Sequence, residues 1–205
     1  MEIPIRWRRS LLTIDDDHVY RWEDEVVPGV NEIFKDVGLI DTTYFKPEHA
    51  ERGKRRHKWI EDFDAGTLDW SEVDEPNYIV GWQEFLADNG MEVQAHELQV
   101  YNPDWHYAGT LDVLATDGDG DEWIVDIKTS ASSYPWHRLQ TTMYGLAYAD
   151  QSNRPLPRLG TVYLREAKKK QFHFKPIIPY DAYVEDALGV VRAWQYKNGK
   201  WAWIE

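Results

Sequence analysis

The chain predicts an α/β fold, with a central mixed β-sheet flanked by helices and a small N-terminal hairpin and helix ahead of it. Three observations predict it. Two short β-branched runs, 109–115 and 123–129, flank a turn that carries Gly118, Gly120 and several Asp residues. Longer segments at 47–64, 77–89 and 135–150 place their apolar residues at helical spacing. Two further strand-like runs, 159–164 and 171–177, come after the last of these helices.

Each element follows from its residues. Residues 10–14 and 18–22 flank the triplet Asp15-Asp16-Asp17, which suits a hairpin turn better than either strand. Pro28-Gly29 breaks the chain before 30–37, where Val30, Ile33, Phe34 and Val37 mark one helical face and Gly38 a stop. The helix at 47–64 opens on Pro47 and ends before Gly66. Ile79, Val80, Trp82, Phe85 and Leu86 supply the apolar positions of the next helix, and 91–100 reads as the first core strand. Residues 116–121 are the turn of a hairpin whose strands carry Asp112 on one side and Asp126 with Lys128 on the other. In the helix at 135–150 the stripe is Trp136, Leu139, Met143, Leu146 and Ala147, with Pro135 tolerated in its opening turn. Residues 165–170, with three lysines, join the last two strands. A closing helix is predicted at 180–196, and Trp201 and Trp203 are expected to pack back on the body.

At 205 residues the chain suits one domain with a real core, and 42% hydrophobic with 29% charged residues marks a folded protein. No apolar segment follows Met1 and no run of 18 apolar residues occurs, so neither secretion by a standard signal nor membrane spanning is expected. The expected location is the cytoplasm. Cysteine is absent, which excludes disulfides, thiolate nucleophiles, zinc–thiolate sites and cysteine-held iron–sulfur clusters. A net charge of −13 argues against a general nucleic-acid coat protein. It leaves room for a local basic groove, and Arg52, Lys54, Arg55, Arg56 and Lys58 form a compact basic run suited to DNA phosphates.

The chemistry concentrates at 107–144. Asp126 and Lys128 are two apart on a strand and share a face, and antiparallel pairing about a turn near 118–120 brings Asp112 opposite Asp126. Like charges so placed are destabilising unless a cation lies between them, and Mg²⁺ takes oxygen ligands from one or two carboxylates. Read alone, an Asp-x-Lys pair occurs often by chance and also fits a solvated strand end. Gly53, His57 and Glu61 recur every four residues along one helical face. A glycine inside a helix costs about 0.5–1 kcal/mol relative to alanine, which points to close approach by a neighbour. His57 suits a metal as neutral imidazole, though spacing alone favours a half-buried place on an ordinary helix surface. Glu97 is a further candidate ligand or a plain strand-surface glutamate. Gln140 and Tyr144, one turn apart, suit water or phosphate contact and base stacking, or a core boundary.

The segments R-G-K-R-R-H-K-W-I-E at 52–61, G-T-L-D at 109–112, V-D-I-K-T at 125–129 and Q-T-T-M-Y at 140–144 together resemble the PD-(D/E)XK nuclease superfamily. The likeness is to its RecB-type and Cas4-type exonuclease branch, as found in phage-like proteins. It implies a restriction-endonuclease-like core, with 1–45 as an N-terminal cover, 46–178 as the catalytic core and 179–205 as a closing helix and tail. It further implies that His57, Asp112, Asp126 and the Ile127 carbonyl hold one or two Mg²⁺ or Mn²⁺ ions, that Lys128 is the catalytic lysine, and that Gln140 and Tyr144 match the motif of the following helix. Members bearing an iron–sulfur cluster use four cysteines, which this chain lacks. The activity implied is hydrolysis of DNA phosphodiesters from ends, beside a single-strand-annealing recombinase or a helicase; no G-x-x-x-x-G-K-[ST] motor motif is present. A structure-specific or restriction-like endonuclease is the enzymatic alternative. A non-catalytic DNA-end-binding or phage assembly subunit is the other.

Overall fold

A computed structural model describes residues 11–15, 17–43, 46–130, 132–166, 171–178 and 180–200. Its centre is a five-stranded mixed sheet in sequence order, β4 (Glu92–Asn102), β5 (Tyr107–Thr116), β6 (Glu122–Lys128), β7 (Arg158–Leu164) and β8 (Phe172–Pro176). All neighbours are antiparallel except β6 and β7, which run parallel from the Trp123–Arg158 pair to the Lys128–Tyr163 pair. Parallel neighbours need a crossover, and α4 (Trp136–Ser152) supplies it. That connection sets α4 against the sheet at the end of β6, where the Asp126-x-Lys128 segment lies.

Both faces of the sheet are covered. On one, α1 (Val30–Asp36), α4 and α5 (Tyr180–Lys197) bury Ile33, Phe34, Met143, Val191 and Trp194 with Leu98, Leu114 and Ile124 of the sheet. On the other, α2 (Pro47–Asp64) and α3 (Asn77–Asn89) bury Ile60, Trp82 and Phe85 against Val113, Val125 and Val162. Alternation along β6 explains the division: Val125 and Ile127 face α2 and α3, while Ile124 faces α4. Asp126 and Lys128 share the parity of Ile124, so they point toward α4. Fully burying an aliphatic or aromatic side chain stabilises by about 1.5–3 kcal/mol, and the two layers explain why period-two strands survive beside so many charges. Among the described residues, no helix is long and apolar enough to cross a membrane.

The N-terminal hairpin is a three-stranded antiparallel sheet, β1 (Leu12–Ile14), β2 (Tyr20–Trp22) and β3 (Glu25–Val27). The third strand is absent from the sequence expectation. Trp22 opposes Glu25, so the loop is two residues, Glu23 and Asp24, both at positive φ (48° and 73°). Two-residue hairpin loops of this twist favour Asn-Gly or Asp-Gly, and Glu-Asp gives no such signal. The sheet docks through Leu12, Val27, Tyr101 and Ala108, with Trp22 stacked on Tyr101 at 4.3 Å. A bridge between Gly29 and Ala108 ties it to β5. The Lys168–Lys170 triplet and the Trp201–Trp203 tail lie outside the described residues.

Candidate active site

The site is a fork in the sheet. β5 and β6 pair only from their turn to Val113 opposite Val125. Beyond it β5 stays beside β4 and β6 stays beside β7. Asp112 and Asp126 are the first residues past the fork, at the register expected from the turn. Asp112 Oδ2 accepts a hydrogen bond from the Ile127 N–H at 2.6 Å, which fixes the carboxylate across the gap. Asp126 is 1% exposed, and its Oδ1 accepts from Lys128 Nζ at 2.7 Å. Its Oδ2 is buried and has no hydrogen-bond partner among the described residues.

Helix α4 completes this side. Lys128 Nζ also donates to Gln140 Oε1 at 2.7 Å, and Gln140 Nε2 donates to Asn31 Oδ1 at 2.6 Å and to the Tyr144 hydroxyl at 3.2 Å. The contact of Asn31 with Gln140, made from α1 across 109 positions, was not among the sequence expectations. Burial, helped by Asp112 and Asp126, pushes the Tyr144 hydroxyl well above the ordinary tyrosine value, so it stays a neutral donor and acceptor. Gly109 makes the fit possible: a Cβ there would lie 2.5 Å from the Tyr144 ring. Gly109→Ala is therefore expected to cost about 1–3 kcal/mol by overpacking, read as a lower melting temperature, and to loosen the Tyr144–Gln140 contact.

Helix α2 brings His57 to the opposite wall. His57 Nε2 lies 3.1 Å from the Ile127 carbonyl, and since a carbonyl only accepts, Nε2 carries the proton. Nδ1 then faces Asp112 Oδ1 and Glu97 Oε1, each at 3.8 Å. His57, Glu97 and Asp112 each offer a ligand atom within 4.8 Å of the others. The Ile127 carbonyl is thus engaged by His57 and positions the ring, leaving one further lone pair. Glu97 lies between His96, opposite Val113, and Leu98, opposite Leu111, which sets it beside Asp112. Its φ of 48° is a left-handed conformation inside a strand, a strain of about 1–3 kcal/mol of the kind that concentrates at functional sites.

The electrostatics fit a cation. Burial pushes the Asp126 carboxyl up to about 7, with Lys128 opposing and Asp112 adding to the rise. Burial works against the charge on Lys128, but Asp126 and Asp112 outweigh it and hold the ammonium above the usual lysine value. His57 is likewise raised: burial lowers it, and Asp112 and Glu97 more than compensate. Three carboxylates thus converge with one ammonium among them, and one buried oxygen has no donor. An unpartnered buried carboxylate oxygen is costly, and a hard divalent ion is the partner that oxygen ligands of this kind accept.

These groups line a cavity of about 820 Å³. Lys54 and Lys58 reach it from α2, and Ile14, His18 and Tyr20 of the N-terminal sheet form a wall that the sequence did not announce. The Tyr20 hydroxyl meets Thr110 Oγ1 at 2.9 Å. The basic run divides. Lys58 lies 3.2 Å from Glu61 and 3.0 Å from Asp62, Arg55 pairs with Asp74 at 3.2 Å, and Arg52 is exposed away from the cavity lining. Arg56 departs from the expectation of a DNA contact. It is 6% exposed, bonds both Glu75 oxygens, donates to the Thr129 carbonyl at 3.2 Å and lies 4.0 Å over the Tyr78 ring. A guanidinium so committed clamps α2 to the end of β6 and is not free for phosphate.

A family profile described as the PD-(D/E)XK nuclease superfamily matches residues 76–197, more than half of the chain. The chain belongs to this superfamily. Its restriction-endonuclease-like fold is the mixed sheet with helices on both faces. The match takes in Asp112, Asp126, Lys128, Gln140 and Tyr144, whereas His57 precedes it. PD-(D/E)XK nucleases are hydrolases that typically use divalent metals. No curated protein matches the chain. Similar solved structures include a provisionally assigned exonuclease from Eubacterium rectale, at 13% identity, 82% of this chain, 73% of that one and a TM-score of 0.47. Another is LHK-Exo, an alkaline exonuclease from Laribacter hongkongensis, in complex with dAMP, at 13% identity, 83% and 87% coverage and a TM-score of 0.42.

Proposed function

We propose that the protein is a divalent-metal-dependent deoxyribonuclease of the RecB-like and Cas4-like kind that hydrolyses DNA phosphodiesters from ends. The observation that carries the reading is the fork: Asp112, Asp126 and Lys128 converge there, and the buried Asp126 Oδ2 lacks a donor. Asp112, Asp126 and Glu97 would hold the ion through carboxylate oxygens and His57 through Nδ1. A bound Mg²⁺ or Mn²⁺ supplies charge stabilisation at the scissile phosphate and a water acidic enough to attack at neutral pH.

The protein's own groups do the rest. The Lys128 ammonium, held between Asp126 and Gln140, is aimed where negative charge builds on the phosphate oxygens and donates a hydrogen bond there. Gln140 fixes that ammonium and is itself fixed by Asn31, so little reorganisation accompanies the reaction. Tyr144 closes the floor against water. Lys54 neutralises a phosphate of the bound strand at the cavity wall. Ile14, His18 and Tyr20 add one wall to the cavity, and the exonuclease form of the reading rests on the likeness to the RecB-type and Cas4-type branch.

The test is a time course on duplexes labelled separately at the 5′ and 3′ termini, with a covalently closed circle beside them. Early release of labelled mononucleotide from one terminus, with the circle intact, is the expected result. Nicking of the circle would replace the exonuclease with an endonuclease.

A further inference from the structure

Gly53 stands in the middle of α2, an unbroken 18-residue helix, where a glycine is unfavourable. Proteins keep such a residue for a left-handed turn, for close packing or for a kink. None applies among the described residues. Gly53 is not at positive φ, nothing lies within 4 Å of the position its Cβ would take, and the helix runs on through it. What Gly53 does face is the cavity, one turn before His57 and beside Lys54, which lines the same wall.

We propose that Gly53 is a positioning residue whose missing side chain leaves room for the sugar-phosphate backbone of the substrate strand to lie against α2. The inference rests on the nuclease reading above and adds the path of the strand. A phosphodiester held at the fork continues along the cavity, and the α2 wall offers it a flat stretch at Gly53 flanked by the Lys54 ammonium. The backbone N–H groups there are spent within the helix, so Gly53 contributes space and Lys54 contributes charge. The helix gives up stability for access to the site.

Gly53→Ala and Gly53→Leu, assayed as the full chain, separate this from a structural role. Both are expected to melt about 2–4 °C above wild type, because helix propensity improves and nothing is displaced. With linear DNA and Mg²⁺, KM is expected to rise modestly for Gly53→Ala and about tenfold for Gly53→Leu, with kcat changing less. A lower melting temperature in Gly53→Ala would show that packing requires the glycine and would overturn the proposal. So would an unchanged KM in both variants. If wild type itself leaves DNA intact, the nuclease reading fails, and that result is distinct because it appears before any variant is made.

Discussion

Asp126→Asn and Lys128→Ala are each expected to lower DNA hydrolysis by at least about 10³-fold while the protein still folds. The amide keeps the size of Asp126 but removes the charge that faces the fork. Lys128→Ala removes the donor held between Asp126 Oδ1 and Gln140 Oε1, both at 2.7 Å. The fold should tolerate both changes, because the sheet is held by Ile124, Val125 and Ile127 on its two faces, and because burial already raises the Asp126 carboxyl, which can take a proton once Lys128 is gone. Initial rates on linear DNA together with thermal melts check the result. Near-wild-type rates in both variants would mean that the centre lies elsewhere.

The largest loss of stability is expected from Arg56→Ala, about 3 kcal/mol, which corresponds to a fall of roughly 6–12 °C in melting temperature. Removing the guanidinium leaves Glu75 without the partner that holds its carboxyl below the ordinary range, and leaves the Thr129 carbonyl without its donor. It also takes the cation from the face of Tyr78. Lys54→Ala, a short step away on the same helix, should leave the melting temperature unchanged and weaken DNA binding. Equal effects of the two substitutions on melting would refute the division of this basic run into a structural clamp and a substrate contact.

That division shows where sequence was legible and where it was not. The parity of Asp126, Lys128 and Ile124, and the turn centred near 118–120, follow from period two alone, and the fork appears at the expected register. The helical face of Gly53, His57 and Glu61 likewise needs only the helix repeat. Arg56 was not separable from Arg55 because its partner, Glu75, lies 19 residues away, and no local pattern marks which arginine turns inward. Glu97 was legible as a candidate ligand or a plain strand-surface glutamate; its positive φ and its approach to Asp112 and His57 are products of the sheet. The third N-terminal strand escaped because Glu23 and Asp24 adopt positive φ without the residues that usually announce it. Asn31 and Tyr20 enter the site through tertiary docking of the N-terminal elements, which no spacing records.

Metal-dependent hydrolysis of DNA at the fork carboxylates is the activity expected of this protein. Incubation of the purified protein with linear single- and double-stranded DNA, in Mg²⁺ or Mn²⁺ and with or without a chelator, tests it most directly. Shortening of at least one substrate with metal, abolished by the chelator and restored by added ion, is the predicted result. Intact DNA under every metal condition, or degradation that persists in the chelator, would contradict it.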